Sequence, residues 1–142
     1  MTDSAEYGPS GLGVRTVIIM QGVNDLAEWN KPQQATATRL IAGHRQLIRA
    51  ARAKGLTVIG ATIMPMKNAD LAYSDKAEAV RDRVNRWIRT SGAYDHVVDF
   101  DRVVRQPADH DALRPGYDSG DGIHLNDAGY DALAQAIDLD AL

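Results

Sequence analysis

The chain has 142 residues, of which 44% are hydrophobic; 16 basic and 19 acidic side chains leave a net charge of −3 with histidine neutral. That composition suits one modest core, offers no general attraction to nucleic acid or an anionic membrane, and, lacking cysteine, excludes disulfides, thiolate nucleophiles and thiolate zinc sites. No apolar run reaches the roughly 20 residues that span a bilayer, and the opening MTDSAEYGPSGLG lacks the basic and apolar regions of a secretory leader, so the chain as written is expected in the cytoplasm, or secreted if a preceding segment carries a signal.

Residues 1–13 are small, polar and rich in Gly and Pro, the composition of a flexible lead; residues 14–142 read as one domain. Residues 14–20 (VRTVIIM) form a β-branched, nearly continuous apolar run, as in a parallel strand covered on both faces. Between residues 33 and 54, Leu40, His44, Leu47, Ile48 and Ala51 recur at helical spacing, and Gly55 follows as a left-handed cap. Residues 56–63 (LTVIGATI) read as a second buried strand, ended by the Met64-Pro65-Met66 segment, with a loop to about Tyr73.

Asp75 and Glu78 have the spacing of a capping box ahead of an apolar stripe of Ala77, Val80, Val84, Trp87 and Ile88. Residues 96–99 supply a short third strand. A polar loop then runs to Leu125, and Asn126 caps a last helix whose inward face is Tyr130, Leu133, Ala134 and Ile137. This alternation predicts an α/β fold with a parallel sheet and helices on its faces. Three strands leave two open edges, and the first strand has the composition of a central one, so the sheet reads as lacking N-terminal strands.

Gly22, Val23, Asn24 and Asp25 follow the first strand, at the carboxyl end where open α/β sheets place their ligand crevices. Gly22 permits a sharp exit and the Asn24 amide can donate to a developing oxyanion; a plain turn is the competing reading. In Asp121-Gly122-Ile123-His124, the spacing lets the aspartate accept from one imidazole nitrogen while the other faces a nucleophile; a loop histidine beside a capping aspartate is the alternative.

VIIMQGVND resembles the third conserved block of the SGNH (GDSL-type) hydrolases, and DGIHLNDAGYDALA resembles their last block; the resemblance covers about residues 14–139. It implies a three-layer α/β/α, flavodoxin-like fold that hydrolyses carboxylic esters with a serine nucleophile and neither metal nor organic cofactor. By that resemblance His124 is the general base, Asp121 its orienting partner and Asn24 the oxyanion donor, while Gly22 and Asp25 match structural positions. A small acyl ester of a polar or carbohydrate alcohol is the implied substrate. The family's G-D-S block and its supporting strand are missing. Thr2-Asp3-Ser4 matches that block only superficially, which makes Ser4 the weakly supported nucleophile candidate, and Ser10 is no better placed. The competing expectation is a non-catalytic remnant that associates with itself through the open edge of the first strand.

Asp109, His110, Asp111, Asp118, Asp121 and His124 form a loop rich in oxygen and imidazole donors, but their spacing matches no metal motif and a solvated loop is the simpler account. Arg39, Arg45, Arg49, Arg52 and Lys54 read as an exposed charged face and not as a nucleic-acid surface. Trp29 is placed either to line the crevice, binding substrate beside Gly22, or to pack structurally. Trp87 reads as core, and for Met64 and Met66 packing is favoured over pocket lining.

Overall fold

Pairing of three β-branched runs builds the sheet. In the computed structural model, which describes residues 13–142, the elements in chain order are β1 (Thr16–Ile19), α1 (Val23–Leu26), a 3-10 segment (Glu28–Gln33), α2 (Ala37–Ala53), β2 (Thr57–Ala61), α3 (Asp75–Thr90), β3 (His96–Val98), α4 (Phe100–Val104), β4 (Arg105–Gln106), β5 (Asp109–Leu113), α5 (Asp127–Gln135) and a final 3-10 turn (Leu139–Ala141). β1, β2 and β3 form a parallel sheet with β2 in the middle; Thr16 pairs with Thr57 through to Ile19 with Gly60, and Ile59 with His96 through to Ala61 with Val98.

Side chains alternate across a strand, so the sheet feeds two cores. Val58 joins Leu40 and Ile48 of α2 and Ala77, Val84 and Ile88 of α3 on one face. Ile59 and Ala61 join Phe100 and Val104 of α4 and Leu133 of α5 on the other. The result is the expected three-layer α/β/α arrangement, in which each fully buried Val, Leu or Ile contributes about 1.5–3 kcal/mol. Gly60 is the exception in β2: a Cβ there would lie 2.5 Å from the Tyr94 ring, which occupies the space a side chain would take.

Several sequence expectations are corrected. Residues 100–125 are not one polar loop, because Asp99 caps α4 by accepting from the Arg102 amide, and an antiparallel β4–β5 hairpin buries Ala112 and Leu113. The cap of α3 is Ser74, which accepts from the Ala77 amide; Glu78 is instead buried against Arg81. α2 starts later than expected, at Ala37, with Thr36 accepting from the Arg39 amide, and its Leu47 faces outward. In α5, Leu133 packs inward but Tyr130 and Ala134 are exposed. β1 packs on both faces, Val17 and Ile19 against the first core and Ile18 against the second, but Thr16, Val17 and Ile18 stay only partly buried, and among the described residues β1 pairs with β2 alone.

A buried ionic cluster ties α3 to the end of β2. Arg81 pairs with Glu78 and, at 2.8 Å, with Asp101, and its Nη1 also donates to the Ile63 carbonyl. Asn85 grips the same residue twice, accepting from the Ile63 amide at 2.7 Å and donating to its carbonyl at 2.8 Å. Ile63 is thereby held where the chain leaves the sheet.

Candidate active site

The turn after β1 is shaped by one close approach. Gly22 has φ 138°, in the region that favours glycine, and a Cβ on it would fall 2.6 Å from Ile63 Cδ1. α1 starts at once, which places Asn24 on the rim above the carboxyl end of the sheet. The Asn24 side chain is exposed, while its main-chain carbonyl accepts from Asn30 Nδ2 at 3.3 Å and that of Asp25 accepts from the Ala35 amide at 2.7 Å. Asp25 thus acts through its backbone, in the turn that follows.

On the facing side, residues 118–126 wind into a loop fastened by its own carboxylates. Asp118 Oδ1 accepts from the amides of Gly120 and Gly122 at 2.7 and 3.0 Å. Asp121 Oδ1 accepts from the amides of Ile123 and His124 at 3.0 and 2.8 Å, and its Oδ2 lies 2.6 Å from His124 Nδ1. Those contacts, the backbone amide of His124 first, hold the Asp121 carboxyl well below its ordinary range. An ionised carboxylate only accepts, so Nδ1 carries the proton and Nε2 is the free, basic nitrogen. Asn126 closes the loop onto α5 by accepting from the Gly129 amide while its own amide donates to the Gly116 and Asp118 carbonyls.

Both segments open into one cleft of about 220 Å³. Its polar groups are Gln21, Asn24 and His124; its walls include Met20, Trp29, Ile63, Met64, Ile123 and Tyr130. The structure therefore brings Asn24, His124 and Trp29 together, with Gly22 buried beneath and Asp121 behind the imidazole. Trp29 lines the cleft and remains half exposed, and Met64 lines it too, against the packing role favoured from sequence, whereas Met66 is fully buried. Trp87 is partly buried against the core, as expected. Gln21 and Tyr130 also line the cleft, with no local sign of it in the sequence; Tyr130, expected on the inward face of α5, is 49% exposed.

No serine, threonine or cysteine lines the cleft among the described residues. Ser74 caps α3, Ser91 accepts from the Ala93 amide and Ser119 donates to Asp121, and none of the three lines the cleft. Ser4 and Ser10 lie outside the described residues. The acidic loop residues are otherwise engaged, Asp109 with Lys67 at 2.6 Å, and among the described residues no cluster of three His, Asp or Glu side chains could hold a metal ion. Arg39, Arg45, Arg49, Arg52 and Lys54 are exposed, and among the described residues no helix is long and apolar enough to cross a membrane.

The model of the GDSL-like lipase/acylhydrolase family matches residues 2–132, most of the chain. The chain belongs to this family. No curated protein matches it. Among solved structures, this GDSL-like chain is similar to a proposed acylhydrolase from Bacteroides fragilis NCTC 9343 (22% identity, TM-score 0.72, 97% of this chain and 66% of that one). It is similar also to a GDSL-like lipase from Bacteroides thetaiotaomicron VPI-5482 (19% identity, TM-score 0.72, 97% and 67%). At these identities the likeness concerns the fold, and the GDSL-like chain spans about two thirds of the length of either neighbour.

Proposed function

We propose that the chain carries the general base and an oxyanion donor of a serine-type carboxylic ester hydrolase acting on small acyl esters of a polar or carbohydrate alcohol. The observation that carries this reading is the Asp121–His124 pair, 2.6 Å apart, opening into the same cleft as Asn24. A serine Oγ attacks the acyl carbon as His124 Nε2 takes its proton, and the Asn24 amide donates to the carbonyl oxygen as it gains charge. The imidazolium then returns the proton to the departing alkoxide, and water, deprotonated by the same nitrogen, releases the acid and restores the serine. Asp121 keeps Nδ1 protonated throughout. Apolar walls and a small volume suit a short acyl group, and the open mouth leaves the alcohol in solvent.

In this reading the nucleophile comes from outside the described residues, with Ser4 the candidate within the chain. Hydrolysis of p-nitrophenyl acetate by the wild type, His124→Ala and Ser4→Ala, joined to fluorophosphonate labelling and peptide mapping, tests it. Labelling at Ser4 that depends on His124 supports an intact triad. Turnover that survives His124→Ala overturns the reading.

A second reading is association through the edge of β1, favoured by its pairing with β2 alone among the described residues. Sedimentation showing only monomer at high concentration refutes it.

A further inference from the structure

A buried polar relay ends on the loop that presents Asn24. The space left by Gly60 admits the Tyr94 ring, whose hydroxyl meets His44 Nδ1; His44 Nε2 lies 3.0 Å from the main-chain oxygen of Gln21. A carbonyl can only accept, so Nε2 bears the hydrogen and Nδ1 is the bare nitrogen to which Tyr94 donates. His44 and Tyr94 are 2% and 6% exposed, and Trp87 packs edge-on against both rings at centroid separations of 6.1 and 5.8 Å. Gln21 and His44 also border a surface groove beside α2, so the Tyr94 bond is the more sheltered of the two. Gln21 directly precedes Gly22 and itself lines the cleft.

We propose that His44 and Tyr94 are positioning residues: the His44 Nε2–H bond fixes the Gln21 carbonyl, and through the constrained turn at Gly22 it sets the aim of the Asn24 amide. The proposal rests on the reading of Asn24 as oxyanion donor, and it assigns a task to a buried histidine that the proton transfers do not use. Burial pushes the His44 imidazole below its ordinary range and the Tyr94 phenol above its own, so both are neutral at physiological pH and the relay is made of uncharged bonds.

The test compares His44→Leu, which has no donor, His44→Gln, whose amide can replace Nε2–H, and Tyr94→Phe, which keeps the ring. Nitrogen-15 NMR of the wild type is expected to show His44 as the Nε2–H tautomer. The amide resonances of Gly22, Val23 and Asn24 are expected to move in His44→Leu and to return toward wild type in His44→Gln. On p-nitrophenyl acetate, kcat falls about tenfold to a hundredfold in His44→Leu with KM unchanged, and His44→Gln recovers most of it. An Nδ1–H tautomer, or unmoved Asn24 resonances in a folded His44→Leu, overturns the proposal. If His44→Leu does not fold, Tyr94→Phe carries the same comparison. A wild type without turnover counts against the hydrolase reading alone, because the NMR outcomes decide the positioning role without it.

Discussion

Gly122 lies directly against the backbone of Asn68. A Cβ at this position would overlap the Asn68 carbonyl group and come within 2.6 Å of the Ala69 nitrogen, and φ is 78°. The loop holding His124 and the loop after β2 thus touch backbone to backbone. Gly122→Ala is expected to cost about 2–3 kcal/mol by urea denaturation and to displace His124, lowering turnover as well. Gly43→Ala, in the middle of α2 with nothing within 4 Å of its Cβ, is the control and should stabilise by about 0.5–1 kcal/mol.

Removing the base should be more severe than removing its partner. His124→Ala is expected to lower kcat by at least about three orders of magnitude, and Asp121→Asn by about two to four, in a steady-state assay of an active form. The Asp121 carboxyl is depressed in the folded chain, so its contribution to stability is present above the ordinary carboxylate range and lost as pH falls through the lower folded value. Asp121 therefore stays ionised through the ordinary carboxylate range. A carbon-13 titration of the Asp121 carboxyl should show no inflection across the ordinary carboxylate range, and an inflection there would contradict the depression.

The ionic cluster beneath Ile63 should be costly to break from one side. Arg81→Leu strands the buried carboxylate of Glu78, while Asp101 keeps Arg89 and Arg105, and is expected to lose about 3 kcal/mol in chemical denaturation. Asn85→Ala removes two hydrogen bonds from the Ile63 backbone, so it should loosen the cleft wall and raise KM at temperatures where the protein remains folded.

Trp29 and Tyr130 are half exposed and line the cleft. Trp29→Ala and Tyr130→Ala are expected to raise KM for p-nitrophenyl butyrate by about threefold to tenfold, with little change in kcat or melting temperature. A fall in kcat at constant KM would show that they act on the transition state instead.

The elements visible in the sequence were those whose physics is local. β1 and β2 announce themselves by β-branched runs, Asn126 by its capping position, and the Asp121–His124 pair by a spacing that a single turn satisfies. α4 escaped because FDRVV is too short to show a period, and the β4–β5 hairpin because Ala112 and Leu113 are its only buried apolar pair. Ser74 and Asp75 are both good caps, and only the backbone angles choose between them. Contacts across the fold had no local sign: His44 and Tyr94 are 50 residues apart, and the outward turn of Tyr130 depends on what α5 packs against.

The loop of residues 118–126 is tied mainly to itself, whereas Asn24 is aimed by the sheet, by Ile63 and by Gln21. In the proposed mechanism, acid–base chemistry and charge stabilisation would consequently rest on different scales of structure. The span between His124 and Asn24 is set across the fold, whereas the imidazole is held to its carboxylate within one turn of chain. In the proposed hydrolase, a substitution that shifts the sheet would therefore alter the reach of Asn24 and spare the hydrogen bond between Asp121 and His124.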